Sequence, residues 1–135
     1  MREIHFHFVP MLIATVAKMA LGALWYSNAL FFKPWTRMSG ITEDQVKQGL
    51  PKALVADLIG SFLMALALYH TIRWAEAHAL LEGLFIGFLS WLGFVAFVSI
   101  SVVTYERKPV KLYLLNAGYQ LVSMLVMAAI LTVWG

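Results

Sequence analysis

The chain has no cysteine among its 135 residues, which excludes disulfides, thiolate chemistry and cysteine-type zinc sites together. Charge is also scarce. Only 13% of residues are charged, about half of the roughly 25% found in soluble domains. Basic runs of the kind that track a phosphate backbone are missing, so the net charge of +3 carries no nucleic-acid signature and no nucleic-acid partner is expected. No segment shows the strict apolar–polar alternation of a membrane barrel. A nucleophile–base pair, a glycine-rich phosphate loop and paired carboxylates in one cleft are all missing as well. The expectation is therefore a chain without enzymatic activity and without a cofactor.

What is present is apolar: 61% of residues are hydrophobic. A domain this short leaves about a third of its unfolded-chain surface exposed, so so much apolar surface needs the lipid bilayer as its solvent and first partner. Four stretches, about 8–31, 53–72, 81–104 and 112–134, each reach the ~20 residues that cross about 30 Å of hydrocarbon. They are apolar around their whole circumference, unlike the amphipathic helices of a soluble bundle. The fold class expected is all-α: a single integral membrane domain of four transmembrane helices. Arg2, the apolar run 8–17 and the small residues 20–23 mimic a signal peptide, but Lys18 interrupts the run and the apolar pattern continues to Phe32. A retained first span is expected.

Lysine and arginine counts set the orientation. Lys33, Arg37, Lys47 and Lys52 lie in the first connection, and Arg107, Lys108 and Lys111 in the third. Against these seven stand two, Arg2 in the N-terminal tail and Arg73 in the second connection. Connections one and three are expected in the cytoplasm, and both termini on the non-cytoplasmic side. Within the first connection Gly40 breaks the chain, and Thr42 to Gln45 fit a capping box. A short interfacial helix at about 43–48, ended by Gly49, is expected before Pro51 opens the second span.

Lys18 lies about ten residues into the first span, ~15 Å deep at 1.5 Å per residue. A lysine at a helix centre costs roughly 2.5–3.5 kcal/mol on insertion scales, so it should face the bundle interior and have a partner. Asp57 is the best candidate, one to two turns inside the cytoplasmic end of the second span. Asp57 and Ser61 share a face at i, i+4, as do Asn116, Gln120 and Ser123 at i, i+4, i+7. Such groups either bridge helices or mark a solute path; Tyr119 beside them can donate a hydrogen bond or simply pack. Gly83 and Gly87 have the small-xxx-small spacing of a close helix contact. His5, His7, His70 and His78 all map to the outer side, but their spacing matches no established metal motif.

A weak internal repeat places Lys52, Asp57 and Ser61 in register with Lys111, Asn116 and Gln120, with Lys33-Pro34 and Lys108-Pro109 closing spans one and three. Two parallel helical-hairpin halves would explain it. The elements LGALWYSNALFFKPW, Glu82-Gly83 with WLGF, and YERKPVKLYLLNAGYQLVS resemble the bacterial membrane family called domain of unknown function 1761, over nearly the whole chain. Asn28 stands where that pattern has a proline. The resemblance implies four spans and an inner-membrane location, and brings no catalytic residue with it. The reading favoured by the residues is transport or binding of a small solute or ion at a polar site formed by Lys18, Asp57, Ser61, Asn116, Tyr119 and Gln120. The other reading is an accessory or assembly subunit; in either case the chain is expected in a homo-oligomer or a larger membrane complex.

Overall fold

The computed structural model describes residues 2–134, with side chains described from Phe8 onward. All regular structure among these residues is helical, and four segments are long and apolar enough to cross a membrane.

Helix α1 (Arg2–Trp25) ends earlier than the apolar pattern suggests. Ser27 turns its hydroxyl back to donate to the Leu24 carbonyl at 2.6 Å. Phe31 N–H reaches back to the Trp25 carbonyl at 3.1 Å, and 26–31 form a turn although their apolar content would suit a span. The chain then forms a short second helix that sequence reading did not foresee, α2 (Phe32–Ser39). Lys33 and Arg37 are exposed on it, while Phe32, Trp35 and Met38 are half-buried. Gly40 ends it at φ 77°, a left-handed position that suits glycine.

Helix α3 (Glu43–Trp74) begins with the expected capping box: the Thr42 hydroxyl accepts from Gln45 N–H, and the Gln45 side chain accepts from Thr42 N–H. The separate interfacial helix expected at 43–48 does not form. One helix of 32 residues runs through Gly49 and Pro51 instead. Nucleating a second helix costs more than propagating the first, and an interior glycine costs only about 1 kcal/mol. At ~48 Å this helix is longer than the ~30 Å hydrocarbon layer.

Helix α4 (Leu80–Trp91) is capped by Glu82, whose carboxylate accepts from Ala79 N–H at 3.1 Å. It widens into a π-helical turn at Leu92–Ala96 and resumes as α5 (Ser101–Thr104), so Leu80–Thr104 crosses as one interrupted segment. The Tyr113 hydroxyl donates to the Ala96 carbonyl and so satisfies part of the backbone that the wide turn disturbs. Helix α6 (Val110–Trp134) follows. Lys108 Nζ donates to the Ser39 carbonyl at 3.3 Å, which ties the α5–α6 turn to the end of α2.

Helix α6 is the centre of the bundle and packs against α1, α3 and α4. Trp25 and Trp91 clamp it from two sides, their indole N–H groups donating to the Leu115 and Ala117 carbonyls at 3.1 and 2.9 Å. The hairpins α1–α3 and α4–α6 are not equal partners, since α6 packs closely on α1 whereas α4 barely meets α3. The buried core joins Met11 and Ala14 to Leu68, Ile72, Met127 and Leu131. That solid half lies toward the α3–α4 turn. Toward α2 the helices diverge, and the site lies there.

Candidate functional site

Lys18 and Gly22 stand one turn apart on the face of α1 that meets α6. The Tyr119 hydroxyl donates to the Lys18 carbonyl at 3.1 Å and accepts from Lys18 Nζ at 3.3 Å. The ammonium also lies 5.2 Å from the Tyr119 ring centroid, within reach of a cation–π attraction. Glycine at position 22 makes this possible, because a Cβ there would lie 2.7 Å from the Tyr119 hydroxyl.

From α3, Asp57 Oδ1 accepts from Lys18 Nζ at 3.4 Å and from the Ser61 hydroxyl, one turn further on, at 3.1 Å. The expected pairing of Lys18 with Asp57 is thus observed. The two partners are unequally enclosed, with the lysine side chain 6% exposed and the aspartate 41%. The ammonium is sealed behind, and the carboxylate opens forward.

It opens into a cavity of about 550 Å³. Lys18, Asp57, Tyr119 and Gln120 form its floor. Tyr26, Phe32 and Trp35 form one wall, and Leu50 and Leu54 of α3 face them. A smaller cavity of about 250 Å³ lies on the other side of Tyr26, Tyr119 and Gln120, reaching Ser99, Tyr113 and Asn116. Between the two, the Tyr26 hydroxyl donates to Asn116 Oδ1 at 2.7 Å, and the Tyr26 and Tyr119 rings meet edge to face at 5.4 Å.

The stripe Asn116, Gln120, Ser123 is therefore divided. Asn116 binds Tyr26 and lines only the smaller cavity. Gln120 lines both, and its buried Oε1 has no hydrogen-bond partner among the described residues. Ser123 is fully buried, with an unpartnered hydroxyl, and reaches neither cavity. Ser61 is buried and acts through Asp57. Asp57 and Asn116, matched by the internal repeat, take different partners on the first hairpin, Lys18 and Tyr26. Sequence reading missed Tyr26, Phe32 and Trp35 as cavity walls. The available signal was the i, i+3, i+6 spacing of Phe32, Trp35 and Met38 opposite Lys33 and Arg37.

Among the histidines, His5 and His7 lie outside the residues whose side chains are described. His70 packs between Tyr69 and Trp74, and His78 lines a small outer pocket with Arg73 and Glu76. Among the described residues no three His, Asp or Glu groups gather as a metal site would require.

Four membrane-spanning helices with an ionisable cluster at depth, open to a cavity, define the class as a polytopic α-helical membrane protein. The chain belongs to the family described as "Protein of unknown function (DUF1761)", whose model matches residues 9–132. Neither the curated proteins nor the solved structures contain a match to it.

Proposed function

We propose that this chain is a non-enzymatic solute-binding protein of the transport class, which takes a small, mostly apolar solute with one polar end into the cavity above Lys18, Asp57 and Tyr119. One observation carries the reading. The charged cluster opens onto a cavity of about 550 Å³ with apolar walls and a few convergent polar groups, which is the usual character of a ligand site. A pair that only fixed helix register would work best closed and dry. The rival role, an accessory subunit within a larger assembly, draws on the apolar outer surfaces of α3, α4 and the π-helical turn, such as Leu63, Phe85 and Phe94. Hydrocarbon alone accounts for those. The family resemblance points to a bacterial inner-membrane location, and the lysine and arginine bias supports an orientation with both termini outside the cytoplasm, so that the α2 end of the cavity faces inward.

One labelling experiment tests cavity and orientation together, because the native chain has no thiol. Met19→Cys lies in the cavity wall. Val16→Cys lies at similar depth, 64% exposed on the outside of α1, and Gln45→Cys sits at the start of α3. Thiols react as thiolates, which form where water reaches them. In inside-out vesicles an impermeant thiol reagent should modify the position 45 and 19 variants and leave the position 16 variant intact. Equal inertness of the variants at 19 and 16 would mean a closed cluster and end the binding reading. Modification at position 45 only in right-side-out vesicles would reverse the orientation.

A further inference from the structure

The cavity's size admits many solutes, but its reachable charge and its wall narrow the choice. Resting on the solute-binding reading, we propose that the occupant is a lipophilic organic cation: a hydrophobic amine in its ammonium form, or a quaternary onium ion.

The accessible charge of the site is negative. Of the ion pair, the carboxylate is the 41% exposed member, and the ammonium, 6% exposed, is committed to Asp57 Oδ1 and the Tyr119 hydroxyl. Both hydrogen bonds to Asp57 converge on Oδ1. Oδ2 has none among the described residues, so an incoming solute meets an open anionic acceptor. An anion would meet that carboxylate before it reached the lysine. A neutral apolar solute would cover Oδ2 without pairing it, which is costly for a charged acceptor.

One wall of the cavity is aromatic. Tyr119, Tyr26, Trp35 and Phe32 form a continuous series of ring contacts, with centroids 5.4, 5.9 and 6.3 Å apart in that order. All four line the cavity, and the series runs from the ion pair to α2. Ring faces attract cations, the more so when desolvated, and Tyr119 already does this for the Lys18 ammonium. A row of aromatic rings leading to a carboxylate suits a greasy cation along its whole path.

Lys18 then has a definite role. It neutralises Asp57 while the site is unliganded, and it opposes the arriving charge. It is an internal competitor, so its removal should strengthen binding.

The test uses two probes of matching shape and opposite charge, radiolabelled tetraphenylphosphonium and tetraphenylborate, in equilibrium binding to the purified full-length protein in detergent. The phosphonium should bind saturably and the borate should not. Lys18→Met should tighten phosphonium binding at least about threefold, the water-like limit for removing a like charge ~6 Å away. Trp35→Leu should weaken it by about 2- to 30-fold, the range for one cation–π contact. The double variant Lys18→Met with Asp57→Asn carries neither charge of the pair. It should keep the helical circular dichroism spectrum and lose the gain made by Lys18→Met. Borate binding equal to or tighter than phosphonium, or a folded double variant as tight as Lys18→Met alone, would overturn the cation assignment. If neither probe binds while Met19→Cys still reacts from water, the cation class is wrong and the solute-binding reading stands. If neither probe binds and Met19→Cys is inert, both fall.

Discussion

Asp57→Leu should destabilise the protein in detergent by about 3–5 kcal/mol, the range for leaving one member of a buried pair without its partner. The group left behind is Lys18, whose side chain is 6% exposed and, among the described residues, has only the Tyr119 hydroxyl as its other acceptor. The reverse change, Lys18→Met, leaves a carboxylate that is 41% exposed toward the cavity and still holds the Ser61 hydrogen bond. Its cost should be clearly smaller. The double variant Lys18→Met with Asp57→Leu should recover most of the loss, because no buried charge then lacks a partner. Thermal unfolding of the four proteins by circular dichroism measures the cycle. Equal losses in the two single variants, or additive losses in the double, would show that the pair is not asymmetrically enclosed or does not interact.

The second large effect is expected at the α4–α6 contact. Gly83→Val should loosen or dissociate that contact, at or above the 1–3 kcal/mol usual for overpacking. A Cβ at position 83 would lie 2.7 Å from Thr132 Cβ and closer still to its hydroxyl oxygen. Thr132 cannot simply turn away, since its hydroxyl donates to the Ala128 carbonyl at 2.7 Å and the residue is buried. One turn on, Gly87 meets the α6 backbone itself, less tightly: a Cβ there would be 3.1 Å from the Met124 carbonyl oxygen. With no hydrophobic drive between helices in lipid, such close approach supplies much of the association. Gly83→Ala paired with Thr132→Gly should be more stable than Gly83→Ala alone. A Gly83→Val protein that unfolds at the native temperature would contradict the contact.

Much of the fold and of the ion pair was legible in the sequence for identifiable physical reasons. A lone lysine in an apolar run needs a partner, and only Asp57 lay at a matching depth on another span. Gly83 and Gly87 declared a close contact by spacing alone. The cavity was not legible. It depends on the turn at 26–31, which ends a segment that composition would continue, and on α2 placing Phe32 and Trp35 beside the start of α3. Those are tertiary events with weak local signals. Gly49 and Pro51 misled as punctuation because a capped helix already in progress runs through both. The π-helical turn at Leu92–Ala96 left no mark in the apolar pattern, and the division of the Asn116, Gln120, Ser123 stripe followed from where the turn after α1 placed Tyr26.

The account stands on water and solutes reaching the floor of the cavity, and the native chain carries its own probes for that. Met19 lines the cavity, Met11 and Met127 are fully buried in the packed half, and Met38 is half-buried on α2. Hydroxyl-radical footprinting of the unmodified protein, read by mass spectrometry at each methionine, compares them in one sample. Met19 should be oxidised at a rate comparable with Met38 and far above Met11 and Met127. Protection of Met19 equal to that of Met127 would contradict the account and leave Lys18 and Asp57 as a sealed structural pair.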